Sequence, residues 1–99
     1  MVIETKKNEQ ELVLELTGRL DTNTAPTLAQ TINENTDDGI NKLVLDLKNL
    51  EYISSAGLRI LLSAQKKMQQ LGGMKVKNVR AEVMEVFEMT GFADILTIE

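Results

Sequence analysis

The stretch "KLVLDLKNL", Lys42 to Leu50, constrains the fold more than any other part of the chain. It is near-continuously apolar from Leu43 to Leu47, with Asp46 as the exception. Such a run predicts a strand buried on both faces, as at the centre of a sheet with parallel neighbours. Parallel neighbours require crossovers, and helical patterns flank the run on both sides. Before it, "DTNTAPTLAQTINEN" places Ala25, Leu28, Ala29 and Ile32 on one stripe. Thr22, Asn23 or Thr24 is available as N-cap, and Pro26 falls in the first turn, where its missing N–H costs nothing. Gly39, after Asp37 and Asp38, reads as the stop, with Ile40 packing back on the helix end. After the run, a helix is predicted from about Ser55 to Leu71. Its stripe is Leu58, Leu61, Leu62, Met68 and Leu71, and its wet side Arg59, Gln65, Lys66, Gln69 and Gln70. Gly72-Gly73 ends it.

The remaining segments fit around this centre. "ELVLELTG" alternates, with Leu12, Leu14 and Leu16 on one side and Val13 and Glu15 on the other, a half-buried strand. "MVIET" is a weaker strand joined to it through the polar turn "KKNEQE", so the chain opens with a hairpin. "MKVKNV" is a short strand. "RAEVMEVFEMTGF" is an amphipathic helix with Val83, Val86 and Phe87 as its stripe, Gly91 as cap and Phe92 folding back. "ADILTIE" adds a last short strand or an extended tail. The order is β-β-α-β-α-β-α with a possible terminal β. It predicts an α/β fold, a mixed sheet of about four strands with right-handed crossovers and helices packed on it, as a single domain over residues 1–99.

The residue inventory excludes several kinds of chemistry. Without cysteine there is no disulfide or thiolate metal site, and without histidine no Ser-His-Asp arrangement. Asp37-Asp38 is the only adjacent Asp pair and lacks the alternating pattern of a calcium loop. Ser63 and Lys66 match a Ser-x-x-Lys pair by spacing alone, and Gly72-Gly73 lacks a phosphate-loop pattern. No enzyme, no metal and no cofactor is expected. With a net charge of −4 and only isolated Lys6-Lys7 and Lys66-Lys67 pairs, direct nucleic-acid binding is not expected either. No signal-peptide pattern opens the chain, and no apolar stretch approaches the ~20 residues that span a bilayer, so no membrane contact and a cytoplasmic location are expected. The three aromatics, Tyr52, Phe87 and Phe92, leave the core to Leu, Ile, Val, Met and Ala.

One stretch exceeds what folding needs. "LEYISSAGLRILL" sets two hydroxyls and a glycine in front of a strongly apolar run. Helix capping uses one hydroxyl. A serine at such a helix start tolerates a phosphate, which the free N–H groups and the dipole stabilise by typically ~0.3–1 kcal/mol. The charge would instead be costly to a partner docked over it. Gly57 implies a close approach to the backbone, since glycine costs a helix about 1 kcal/mol relative to alanine. The plainer reading makes one serine a cap, the other polar filler, and Gly57 a packing contact with a strand.

"LVLDLKNLEYISSAGLRILL", with "GRLDTNTAPTL" and "MEVFEMTGFADIL", resembles the STAS-domain anti-sigma factor antagonists of bacteria over nearly the whole chain. The resemblance implies a partner switch. The unphosphorylated antagonist binds an anti-sigma factor that is also an ATP-dependent serine kinase, and the sigma factor is released. Phosphorylation of one serine at the start of the second major helix abolishes binding, and a PP2C-type phosphatase restores it. Matching the family's "D-S-S/T-G-L" onto "S-S-A-G-L" makes Ser55 the phosphoacceptor, with Ser54 as second choice. Ser54 then stands where an aspartate is often found, and Ala56 in place of a second hydroxyl residue. The surrounding Gly57 and Leu58, with Arg59 on the outward face, complete this partner-binding stretch. Asp21, Thr22 and Asn23 match the family's partner-contacting loop, and equally suit helix capping. Asp46 also fits the family pattern, or caps a loop after its strand. The alternative within the family is a scaffold or nucleotide-sensing module in a stress-signalling or transporter-linked assembly.

Overall fold

Leu12, Leu14 and Leu16 are buried on one side of strand β2 (Glu11–Leu20), as a side-chain period of two requires. The computed structural model describes residues 1–36 and 39–99; of the stop expected at Gly39 after Asp37 and Asp38, the two aspartates lie outside them, and Gly39 takes a φ of 79°. Around β2 stands a four-stranded sheet in the order β1-β2-β3-β4. β1 (Val2–Asn8) is antiparallel to β2, while β3 (Lys42–Ile53) is parallel to both β2 and β4 (Met74–Lys77). α1 (Ala25–Asn35) and α2 (Ser55–Gln69) form the two crossovers, and α3 (Ala81–Thr90) follows β4. Right-handed crossovers between adjacent strands, taken in the same direction twice, put both helices on one face of the sheet. The core fills that face: Leu14, Leu45 and Leu47 of the strands share one buried cluster with Leu28, Leu61, Met68 and Phe87 of the helices. The mixed sheet and the element order agree with the sequence-based expectation.

Several local expectations are corrected. β1 continues through Lys6 and Lys7 to Asn8, leaving a tight turn in which Glu9 takes a φ of 59°. An edge strand pairs on one side only, so polar residues can extend it, and Lys6 Nζ meets Glu15 Oε1 at 2.8 Å across the pair. β3 is not buried on both faces: on the side away from the helices Val44 is only half-buried and Lys42 and Lys48 are exposed, as Val13 and Glu15 are half-buried on the same side of β2. β3 also runs on to Ile53. Its core residues step by two through Leu43, Leu45 and Leu47, then by three to Leu50 and Ile53. Register shifts against β2, between Glu15 and Thr17 and between Gly18 and Arg19, accompany the longer steps. The C-terminal stretch forms a 3-10 turn (Phe92–Asp94) and a single parallel bridge between Val76 and Ile98 rather than a strand. Gln65, expected on the wet side of α2, is buried because it follows Leu61 by four residues and Leu58 by seven. Among the described residues no helix is long and apolar enough to cross a membrane.

Asp46 sits at the first register shift and is 6% exposed. It caps no loop after a strand, since β3 continues past it. Its Oδ1 accepts from the Lys48 N–H and from the Asn78 amide, both at 3.1 Å. It therefore ties the irregular step in β3 to the residue that follows β4. Burial pushes its carboxyl up, but those two donors and the Lys48 and Lys77 ammonium groups outweigh burial and leave it below the usual range. A depressed carboxyl contributes stability above its unfolded value near 3.8, and that contribution is lost as pH falls through the folded value. Asp46→Asn is expected to cost about 1–3 kcal/mol at neutral pH. It should also make the acid limb shallower below about pH 4. Urea midpoints at neutral and acid pH read both effects, and an acid limb as steep as wild type would contradict the assignment.

Candidate functional site

β2 and β3 run parallel and finish at the same end of the sheet, so the segments that leave them are neighbours. The Ser54 N–H donates to the Leu20 carbonyl at 2.9 Å, joining the start of α2 to the loop after β2. Ser54 is extended (φ −98°, ψ 174°), and its Oγ accepts from the Gly57 N–H at 3.3 Å. It is the N-cap. Ser55 is the first residue of α2 and exposed, and among the described residues its hydroxyl has no hydrogen-bond partner. The two adjacent hydroxyls thus differ in role: one closes the helix and the other is free.

Gly57 faces the core. A Cβ there would lie 2.7 Å from Leu20 Cγ and 2.9 Å from Ile53 Cγ1. The close approach inferred for this glycine is made by the protein's own strands. Leu58 is buried as well, at 6% exposure. Both hold α2 in place and offer no side chain to a partner. Ala56 is half-buried against the core, and Arg59 is exposed one turn along from Ser55.

The loop after β2 is closed by its own residues. Asp21 Oδ1 accepts from the N–H groups of Asn23 (3.0 Å) and Thr24 (3.1 Å). In return Thr24 Oγ1 accepts from the Asp21 N–H at 2.9 Å and donates to the Arg19 carbonyl at 2.8 Å. This reciprocal pairing is a capping box set just before the first residue of α1. Thr24, one of the three candidates, is the N-cap residue of α1 but makes no side-chain cap bond to the helix; the loop before it is closed by Asp21, and the Thr22 and Asn23 side chains are exposed and unbonded among the described residues. Partial desolvation raises the Asp21 carboxyl, but the Thr24 and Asn23 donors and the Arg19 cation hold it below the usual range.

Two residues at this end went unread in the sequence. The Arg19 guanidinium lies 4.2 Å from the centroid of the Tyr52 ring, and both side chains are exposed. They face each other because of the two register shifts between β2 and β3, which the residue pattern does not announce. Arg19 Nε is also 4.0 Å from Asp21 Oδ2. The end of the sheet therefore presents Arg19 stacked on Tyr52, the free Thr22 and Asn23, the Ser55 hydroxyl, and Arg59. The arrangement can dock a protein surface and hold out one hydroxyl for modification.

The STAS domain family model matches residues 2–99. BtrV of Bordetella bronchiseptica, whose name gives it provisionally as an anti-sigma factor antagonist, is 35% identical over 99 residues, covering 99% of this chain and 85% of that protein. The crystal structure of an anti-sigma factor antagonist from Mycobacterium paratuberculosis superposes with a TM-score of 0.88 at 26% identity, covering 98% of this chain and 83% of that one. The antagonist SpoIIAA, solved unphosphorylated and phosphorylated, shares the fold with a TM-score of 0.77 in each form at 14% and 15% identity. Those two structures cover 99% of this chain and 87% and 91% of their own.

Gly57→Ala tests the corner on which this end is built. A methyl group 2.7 Å from Leu20 Cγ forces that leucine or the helix to shift, at a cost of about 1–3 kcal/mol, against a helix-propensity gain of about 1 kcal/mol. A net loss of stability is expected in urea unfolding. A more stable variant would show that the approach is slack.

Proposed function

Because the chain belongs to the STAS domain family, we propose that it is an anti-sigma factor antagonist whose binding is switched by phosphate on Ser55. In the unphosphorylated state it binds an anti-sigma factor through the end of the sheet that carries Ser55, and the sigma factor is released. The anti-sigma factor acts as the serine kinase, ATP supplies the phosphoryl group, and a PP2C-type phosphatase removes it. The protein itself is regulatory, not an enzyme, and works in the cytoplasm beside the transcription machinery. Thr22, Asn23, Ala56 and Arg59 supply contacts to the partner, joined by Arg19 and Tyr52. Asp21, Ser54, Gly57 and Leu58 act by holding the loop and the helix start in place.

The observation that carries this reading is the division of labour in the serine pair. Ser54 is consumed in the cap, while Ser55 is exposed and unbonded at the first position of α2. A phosphate on Ser55 adds up to about two negative charges where free helix N–H groups favour them. The folded domain therefore tolerates it. A partner docked over the same spot would have to bury the charge unpaired, a penalty of several kcal/mol. A loss of ~3–4 kcal/mol corresponds to a few-hundred-fold weaker complex.

The test uses the native host's anti-sigma factor, ATP and peptide mass spectrometry. Phosphate is expected on Ser55 and absent from Ser55→Ala, which should still bind. Ser55→Asp should bind at least about tenfold more weakly, since a single carboxylate carries less charge than phosphate. If Ser55→Asp binds as tightly as wild type, the switch is not at this residue.

A further inference from the structure

Arg59 stands on α2 without a counter-ion. The helix runs from Ser55 to Gln69 and contains no aspartate or glutamate. The residues three and four positions from Arg59, which are its neighbours on the helix surface, are Ala56 and Leu62, Ser55 and Ser63. Arg59 is exposed, and among the described residues its guanidinium has no hydrogen-bond, ion-pair or ring partner. The other arginine at this end of the sheet is already engaged. Arg19 lies 4.2 Å from the Tyr52 ring centroid and 4.0 Å from Asp21 Oδ2.

Of the four neighbours, Ser55 is the one that the proposed switch makes anionic, and its place relative to Arg59 is the favourable one. Residues four apart on a helix bring their Cβ atoms within about 5–6 Å. Long helical side chains lean toward the helix N-terminus, so the Arg59 stem runs back over the turn that begins with Ser55. An anion on the N-terminal side of a cation at this spacing is also the stronger order, in keeping with the helix dipole. A phosphate presents three acceptor oxygens, and the planar fork of a guanidinium holds two of them at once. Without phosphate, the guanidinium faces whatever docks on this end of the sheet. A charge buried there unpaired is costly, so a partner that covers Arg59 has to bring a carboxylate to it.

Resting on the reading of Ser55 as the switch, we propose that phosphate on Ser55 captures Arg59, and that in the unphosphorylated domain Arg59 pairs with a carboxylate of the anti-sigma factor. Phosphorylation then acts twice. It sets a charge in the partner's way, and it withdraws the cation that the partner's carboxylate needs. Only the Arg59 side chain changes partner, and α2 keeps its place.

The first arm of the test needs no anti-sigma factor. Phosphoserine is installed at position 55 of the full chain by genetic encoding, and the arginine Nε–Hε signals are followed by ¹⁵N NMR. The Arg59 signal is expected to move downfield and to exchange with water several-fold more slowly than in the unphosphorylated protein. An Arg59 signal that stays in place, or moves no more than that of Arg19, overturns the capture. In the second arm, unphosphorylated Arg59→Gln should bind the native host's anti-sigma factor at least about tenfold more weakly, with its Tm unchanged. Arg59→Lys, which keeps the charge but not the fork, should recover part of that loss. If Arg59→Gln binds as tightly as wild type, the carboxylate contact is overturned. Failure of the switch itself reads differently: Ser55→Asp then binds as tightly as wild type, while the Arg59 signal still decides the pairing with the installed phosphate.

Discussion

The close approach of α2 to the ends of β2 and β3 is the contact on which the functional end depends. At Gly57 the helix backbone lies directly on Leu20 and Ile53, with no room for a methyl group. Beside it, the Ser54 N–H is bonded to the Leu20 carbonyl. Two strand ends, a cap and a helix start thus form one corner, fixed by packing on one side and a backbone hydrogen bond on the other. Glycine in a helix is unfavourable by about 1 kcal/mol relative to alanine. Burial of Leu20 and Ile53, which are 0% and 3% exposed, more than offsets that at roughly 1.5–3 kcal/mol per large apolar side chain.

The corner explains why the exposed residues are available. At each helix start the closing bonds leave neighbouring polar side chains free. Ser54 closes α2, and Ser55 keeps its hydroxyl. Asp21 and Thr24 close the loop before α1, and the Thr22 hydroxyl and Asn23 carboxamide are left unbonded among the described residues. The free side chains of Thr22, Asn23 and Ser55 have no part in holding the fold. A change at one of them can alter recognition without loosening the domain, which is the independence that the switch proposed at Ser55 requires.

Much of the fold was legible because its periods are clean. Leu12, Leu14 and Leu16 alternate, Ala25, Leu28 and Ile32 follow the helical repeat, and the run from Leu43 marks the central strand. What escaped depends on long-range register. The facing of Arg19 and Tyr52 follows from two register shifts that occur only when β2 and β3 are paired. Burial of one sheet face rather than two was hidden because Val44 is apolar yet lies on the open side. The capping role of Asp21 was obscured by three further polar residues in a row, any of which suits the position. Gln65 was placed by its polarity instead of by its spacing. The offsets from Leu58 and Leu61 were the signal that would have put it inside. At the candidate site, the serine pair and Gly57 were legible as a capped helix start, while the assignment of cap to Ser54 needed the geometry itself.

The way α2 is anchored determines what kind of switch this end can be. Leu58, Leu61 and Met68 fasten the helix to the sheet along its length, and each buried side chain of that size contributes roughly 1.5–3 kcal/mol. A phosphate at the first residue interacts with the helix N-terminus by typically ~0.3–1 kcal/mol, and in the favourable direction. It therefore exerts no force able to unseat the helix. The same charge set against a partner's apolar surface is unfavourable by several kcal/mol. The sign changes between the free domain and the complex, and the complex carries the larger magnitude. A switch built this way needs no second conformation of the domain, because the information lies in the charge that the partner meets.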